Sequence, residues 1–358
     1  MFELLQNLMR RRNLYAMAKI KKLTYLLVLI VLFSIPKLHG QGTKPKPIGI
    51  IAFYNLENLF DTEDDPDIKD EEYLSGGRNH WTPERYANKL SNMARVIASI
   101  GQGPDIIGVC EVENRKVLED LVQTSQLATK SYQIIHFDSP DRRGIDVALL
   151  YKPGIFLPFH TALIPFKDEN DPGFRTRDML WVKGLFNKDT LNIVVNHWPS
   201  RRGGKESKRI IAAQILRSAV DSVQRLNPDA KIILMGDFND DPSNKSLKKH
   251  LRSKGKTNDL STGDLFNAST STFKKGNGTL SYRGAWNLFD QIIVTQSLLP
   301  ENSTTYSYID NSFQVFGPDW MRVQDGQFAG SPLRTFSFGA YKNGYSDHFP
   351  AFIVLGEY

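Results

Sequence analysis

The sequence predicts an α/β protein in which two β-sheets pack on one another with helices outside. Short apolar, β-branched runs recur along the chain, and several are apolar nearly throughout, as strands buried on both faces are. Stretches with helical spacing lie between them. The runs also end abruptly in polar residues of a few kinds: Asn, Asp, Glu and His.

In chain order, residues 1–40 come first. Lys19, Lys21 and Lys22 precede the apolar run Leu23–Ile35, followed by Pro36 and Leu38-His39-Gly40-Gln41. A basic stretch, an apolar core and a small residue near its end describe a secretory leader, and the run is shorter than the about 20 residues that span a bilayer. Met17 stands just before the basic patch, so the residues ahead of it read as an upstream extension. The expectation is export, to a periplasm or into the medium, with no stable membrane insertion after cleavage; the alternative is an uncleaved anchor.

Residues 41–358 read as a single domain. The predicted strands are Ile48–Tyr54, Asp105–Cys110, Ile145–Tyr151, Leu191–Asn196, Lys231–Met235, Leu288–Thr295 and Phe349–Leu355, with another around Met179–Leu185. Thr82-Pro83-Glu84 is an N-cap with proline at the first helical position. From there Tyr86, Leu90, Met93, Ile97 and Ile100 repeat at helical spacing up to Gly101. A second helix, Glu206–Leu226, carries Ile211, Ile215, Ala219, Val223 and Leu226 on one side. The acidic stretch Asp61–Glu72 reads as a solvated loop.

The whole chain carries a formal charge of +6, and residues 1–40 account for all of it with seven basic residues and one acid. Residues 41–358 hold 38 basic and 38 acidic residues. The basic balance therefore belongs to the leader and gives no global argument for nucleic-acid binding. The lone Cys110 excludes an intramolecular disulfide and, in an apolar run, reads as a small buried hydrophobe.

The chemistry lies at the strand ends. Tyr54-Asn55-Leu56-Glu57-Asn58 follows the first predicted strand and Glu111-Val112-Glu113-Asn114 the second. His197-Trp198-Pro199-Ser200-Arg201-Arg202 and Gly236-Asp237-Phe238-Asn239-Asp240 follow two later ones. Asp290 lies inside Leu288–Ile293, and Ser346-Asp347-His348 leads into the last strand. Singly, each is explained by a turn, a cap or a solvated end. Gathered together, Glu111, Asp237, Asp290 and Asp347 would repel one another and lose hydration, a cost that a divalent cation removes. Oxygen donors select Mg²⁺, with Mn²⁺ or Ca²⁺ as alternatives, over Zn²⁺.

In this order, Asn55, Glu111, His197, Gly236-Asp237-Phe238-Asn239, Asp290 and Ser346-Asp347-His348 resemble the motifs of the endonuclease/exonuclease/phosphatase superfamily, the deoxyribonuclease I-like proteins. The likeness runs over residues 46–357. It implies a four-layer α/β sandwich of two mixed sheets flanked by helices, with the site at one edge of the paired sheets. It also implies Glu111 as principal metal ligand with Asn55 beside it, and Asp347 as a further metal-site carboxylate. Asp237 would orient or deprotonate the attacking water and Asn239 would hold the phosphate. His348 would be oriented by Asp290, and His197 would meet the phosphoryl oxygens or act as a second acid/base. Phe174-Arg175-Thr176-Arg177 resembles the position where an arginine meets substrate phosphate, with Arg177 preferred. Arg201, with Arg202, Lys205, Lys208 and Arg209, forms a candidate phosphate-facing rim, and Asp146 is a weaker candidate for the site.

The function expected is an exported, divalent-metal-dependent phosphoesterase that cleaves phosphodiester bonds, a nuclease first, with nucleic acid as the candidate partner. The alternatives are a phosphatase or phospholipase-type hydrolase of inositol phosphates or sphingomyelin, and a non-catalytic exported binding protein on the same fold.

Overall fold

Residues 45–202 and 205–357 are described by the computed structural model. The leader read at 1–40, and the export expected from it, lie outside them. Strands β1 (Lys46–Leu59), β2 (Ile106–Val112), β3 (Gln133–His136) and β4 (Asp146–Tyr151) come first and share a sheet. A second sheet takes β5 (Phe156–Ile164), β6 (Met179–Phe186), β7 (Asp189–His197), β8 (Lys231–Asp237), β9 (Ser253–Lys254) and β10 (Leu265–Asn267). After the hairpin of β11 (Leu280–Tyr282) and β12 (Ala285–Asn287), β13 (Asp290–Val294) completes that sheet. The chain then returns to the first sheet through β14 (Ser307–Tyr308) and β15 (Gln314–Val315), makes a hairpin of β16 (Phe336–Ser337) and β17 (Ala340–Tyr341), and ends in β18 (Ala351–Glu357).

The strand order is β14-β18-β1-β2-β4-β3 in the first sheet, with β15 also on β18, and β5-β6-β7-β8-β13-β10-β9 in the second. Both sheets are mixed: β1 runs parallel to β2 and β7 to β8, while β18, β4 and β13 are antiparallel to their neighbours.

Alternation along each strand explains why the predicted runs are apolar throughout. Ile51 and Phe53 of β1 face the second sheet and pack with Ile193, Val195, Ile233 and Met235. Their neighbours Ala52 and Tyr54 face outward onto the helix α1 (Pro83–Ser99) through Leu90, Met93 and Ile97, and onto α2 (Arg115–Val122) through Val117, Leu118 and Leu121. On the other side, Val194, Ile232 and Leu234 pack under α3 (Glu206–Leu226). Helices, sheet, sheet and helix make the four layers that the family resemblance implies. Cys110 is fully buried between the sheets.

Thr82 caps α1, its hydroxyl accepting from the Arg85 amide at 3.3 Å, with Pro83 opening the helix. α3 has its predicted bounds, but its buried stripe is displaced from the predicted one. Ala212, Ala213, Leu216 and Val220 face the sheet, whereas Leu226 is 89% exposed. Small Ala212 and Ala213 let the helix lie close to the strands. The buried charges beside them are paired, Arg209 with Asp240 and Arg217 with Asp221. β5 leaves little signal in the sequence because it is an edge strand carrying Pro158 and several exposed residues, without the continuous apolar run of the inner strands. The acidic stretch Asp61–Glu72 is mostly exposed, although Asp61 and Asp70 are buried.

Gly236 shows how tightly the strands that carry the site are set. A Cβ there would collide with the carbonyl oxygen and Cβ of Asn196 on the neighbouring strand. Gly236→Ala should destabilise the protein by about 1–3 kcal/mol through overpacking, read as a lower urea midpoint with an unchanged slope. An unchanged midpoint would show that β7 and β8 separate freely.

Candidate active site

Register places the first polar row. His197 ends β7 opposite Asp237 at the end of β8, and Asp237 lies opposite Asp290 at the start of β13. Three adjacent strands of the second sheet thus present His, Asp and Asp in line. The first sheet supplies its residues where the pairing breaks. The register of β1 on β2 shifts between Asn55 and Leu59, and that of β2 on β4 between Cys110 and Val112. Glu57, Asn58 and Glu111 at these breaks take left-handed backbone (φ +49°, +53° and +59°), as does Asn239 (φ +50°) beyond β8. Bulges re-aim side chains, and strained backbone of this kind collects at functional sites.

Direct contacts join the two sheets. Asn55 Nδ2 donates to Asp237 Oδ2 at 3.2 Å. His197 Nε2 lies 3.7 Å from Asp237 Oδ2 and 3.9 Å from Glu111 Oε1. His348 Nε2 lies 3.9 Å from Asp237 Oδ2, and its Nδ1 is hydrogen-bonded to Asp290 Oδ2 at 2.6 Å. Ser346 fastens this segment to β1: its hydroxyl donates to the Asn55 carbonyl at 2.7 Å and accepts from the His348 amide at 3.1 Å. Arg334 bridges the remaining acids, Nε to Glu57 Oε1 and Nη2 to Asp347 Oδ2, both at 2.9 Å.

The two imidazoles differ in charge, one neutral and one cationic. Burial pushes the His197 pKa well down, and the charges of Arg177, Arg143 and His348 add to the effect, so the ring is neutral. Burial would also depress His348, but Asp290, in charge and hydrogen bond, with Asp237 and Asp347, holds it well above the ordinary histidine value. Between them Asp237 is pushed up to about 7, by burial first and then by Asp290 and Glu111 against the opposing His348 cation. Burial and Asp347 likewise raise Glu57 against Lys89 and Arg334. Asp347 falls below the usual carboxylate range because Arg334, His348 and Lys89 outweigh its burial.

The geometry gathers Asn55, Glu111, His197, Asp237, Asn239, Asp290, Asp347 and His348, all singled out from the sequence. Asn239 donates from Nδ2 to the Trp198 carbonyl at 3.0 Å, and its amide caps Asp237 Oδ1 at 2.9 Å. Arg177 is buried, donating to Asp141 at 2.9 Å and to the Trp198 carbonyl at 2.7 Å; it bears on the site through its charge on His197. Arg201 is engaged by the loop after β8, donating to the Asn239 carbonyl, Asp241 and Asn244 at 3.0 Å each, and it lies over the Phe289 ring. A phosphate at Arg201 would compete with those contacts. Asp146 is held by His136 at 3.0 Å and by the Ser139 amide at 2.8 Å.

Three residues of the cluster were not singled out from the sequence. Glu57 had a signal, since it lies two residues beyond Asn55 on the same strand. Lys89 had a fainter one, a charge at helical spacing among Tyr86, Leu90 and Met93; its ammonium donates to Thr335 Oγ1 and the Tyr345 carbonyl at 2.7 Å each. Arg334 had none, lying in an irregular stretch without periodicity.

The donor set fits a hard divalent cation. Glu57, Glu111 and Asp347 all act on the Arg334 and Lys89 charges, so the three carboxylates share one neighbourhood. The buried oxygen Asp290 Oδ1 and nitrogen His197 Nδ1 have no hydrogen-bond partner among the described residues. Asp237, Asp290 and His348 also bring ligand-type atoms within 4.8 Å of one another, but the short His348–Asp290 bond marks these two as an orienting pair.

Two packed sheets with an acid- and histidine-lined cleft where their strand ends converge define a phosphoesterase-type fold. The chain belongs to the Endonuclease/Exonuclease/phosphatase family, whose model matches residues 50–357. Among solved structures it is similar to a humanized D. rerio TDP2, at 14% identity and a TM-score of 0.52 over 86% of this chain and 98% of that chain. It is also similar to an endonuclease/exonuclease/phosphatase family protein of Bacteroides thetaiotaomicron, at 17% identity and a TM-score of 0.51 over 87% and 99%. A third is the mannosyl-6-phosphatase of that organism, at 17% and 0.51 over 86% and 99%. At these identities the likeness speaks for the fold alone. No curated protein matches the sequence. Among the described residues, no helix is long and apolar enough to cross a membrane.

Proposed function

We propose that this protein is a divalent-metal-dependent phosphodiesterase whose substrates are nucleic acids. The observation that carries the reading is Asp237 set between a neutral and a cationic imidazole, beside three carboxylates that share one neighbourhood. Glu57, Glu111 and Asp347 would hold the cation, with Asn55 adjoining. When bound, it supplies positive charge against the oxygens of the reacting phosphate and lowers the pKa of bound water.

The division of labour among the side chains follows from their charge. His348 already carries its proton, so it cannot take one from water; its Nε2–H is aimed to stabilise charge on a phosphoryl oxygen, with Asp290 holding the ring. Asp237, pushed up to about 7, is a stronger base than an ordinary carboxylate and is the group that accepts the water's proton. Neutral His197 contributes a hydrogen bond to the phosphate. Asn239 holds the loop after β8 so that Asp237 keeps its direction, and its side-chain amide would meet a phosphate oxygen only by leaving the Trp198 carbonyl.

A parallel hydrolysis screen tests this. Plasmid DNA, single-stranded RNA, bis-p-nitrophenyl phosphate, inositol phosphates and sphingomyelin would each be offered with Mg²⁺, Mn²⁺, Ca²⁺ or EDTA. The expected result is cleavage of nucleic acid and of the model diester with a divalent cation, and none in EDTA. Turnover confined to monoesters, to sphingomyelin, or undiminished in EDTA would overturn the proposal.

A further inference from the structure

A cavity of about 510 Å³ lies against the acidic cleft, with Glu57 and Arg334 in its wall. Through Arg334, which also binds Asp347, its floor is continuous with the proposed metal-holding carboxylates. Tyr73 and Trp81 lie in the same wall, and Glu57 and Arg334 belong to both cavity and cleft. The volume is within the range of small-molecule sites.

Two features of the lining have no part in the chemistry proposed above. One is positive charge. Among the described residues Arg78 pairs only with Glu72, through solvent-exposed side chains, so a phosphate can exchange for that partner at little cost. Arg202 has no ion pair among the described residues. The other is an aromatic tip. Phe338, on the turn between β16 and β17, is 91% exposed with left-handed backbone (φ +51°). Its ring leans on Phe328, itself 40% exposed, at 5.7 Å. Phe336 beside it is braced by Trp81 and Tyr341 at 5.9 and 5.5 Å. A large apolar ring in water beside guanidinium groups suits a flat, partly apolar ring attached to an anion.

We propose that this cavity is a subsite for the nucleotide next to the scissile bond, its phosphate held by Arg78 and Arg202 and its base against Phe338 and Phe336. The inference rests on the phosphodiesterase reading. It names the substrate as a single-stranded chain, because a paired base could not lay its face on the Phe338 tip. Base–aromatic stacking is worth enough to show as a rate preference of about tenfold.

The test uses the full chain with Mg²⁺ and three substrates: a thymidine dinucleotide, the same dinucleotide with a terminal phosphate at its 5′ or its 3′ end, and bis-p-nitrophenyl phosphate. The phosphorylated dinucleotide of one polarity should show a kcat/KM about tenfold above the plain one, the order of one charge-assisted hydrogen bond to an arginine. Arg78→Gln should erase that preference, Phe338→Ala should lower kcat/KM for both dinucleotides, and neither should change the rate on bis-p-nitrophenyl phosphate. Equilibrium binding of the same dinucleotides in EDTA separates the subsite from the chemistry. Preferential binding lost in Arg78→Gln, without turnover of any diester, would leave the subsite standing and remove the phosphodiesterase reading. Turnover and binding indifferent to the terminal phosphate and to both variants would remove the subsite and leave the phosphodiesterase. Release of the terminal phosphate alone, with the internal bond intact, would overturn both.

Discussion

Asp237→Asn should turn over diester substrate about 10³-fold more slowly than the parent protein, the range by which general-base catalysis contributes, and should also unfold at a higher temperature at alkaline pH when metal is removed. The rate follows from position. Asp237 Oδ2 lies within 3.9 Å of both histidines, and the isosteric amide keeps the contacts of the Asn239 amide while losing the capacity to accept a proton. Because the loss falls on the chemical step, kcat should drop with KM little changed. The stability follows from the same burial. With a folded pKa raised from 3.8 to about 7, Asp237 keeps its proton in the fold where the unfolded chain has released it. The parent therefore loses stability as pH rises through that window, and the loss is complete above it. An asparagine escapes this loss, so the difference in Tm should be greatest near pH 8 and small near pH 4. A slow variant that also melts lower at every pH would mean a damaged fold and would leave Asp237 without its assigned role.

How much of this was legible in the sequence depends on what each residue's signal requires. The inner strands were legible because both of their faces are covered: Ile51 and Phe53 meet the other sheet while Ala52 and Tyr54 meet helices, so apolar residues run without a break. Polar groups at the ends of such strands stand out, which is how Asn55, Glu111, His197, Asp237 and His348 could be found. The buried face of α3 is rotated from the expected stripe, whose Ile215, Ala219 and Val223 pack partly buried at its margin, because Arg209 and Arg217 are buried beside small alanines and the most buried side is not the most hydrophobic one. Arg201 illustrates a different limit. Its place after His197 suggested a phosphate contact, yet its donors are engaged by the loop that follows Asp237, a pairing visible only once β7 and β8 are side by side. Arg334 is out of reach of pattern reading altogether, since what it does depends on two carboxylates that lie 277 and 13 residues away.

Glu57→Gln should lower kcat at fixed low Mg²⁺ by about 10²-fold and move the Mg²⁺ concentration for half-maximal rate upward by a similar factor, as expected when one carboxylate contact to a cation is lost. The carboxylate is 6% exposed and faces Arg334 at 2.9 Å, the Thr335 amide at 2.8 Å and Lys89 at 4.0 Å. That set also suits a purely structural ion pair, so the rate alone does not decide its role. Thermal unfolding does. A cation bound only by the folded protein adds about 2.7 kcal/mol at a hundred times its Kd, so the parent should gain Tm on titration with Mg²⁺. The gain should be larger at pH 8 than near pH 5, because burial and Asp347 raise Glu57 from 4.5 to about 7 and a cation relieves the cost of ionising it. Asp347 contributes in the opposite sense. Its lowered pKa gives stability that persists above the usual carboxylate range and disappears as pH falls through the folded value, so acid should weaken the Arg334 bridge and Mg²⁺ binding together. In Glu57→Gln the Mg²⁺-dependent gain should shift to higher concentration at both pH values. If the variant lost Tm yet kept the parent's Mg²⁺ response, Glu57 would be a strut for Arg334 and Lys89, and the cation would have to be held by Glu111 and Asp347 without it.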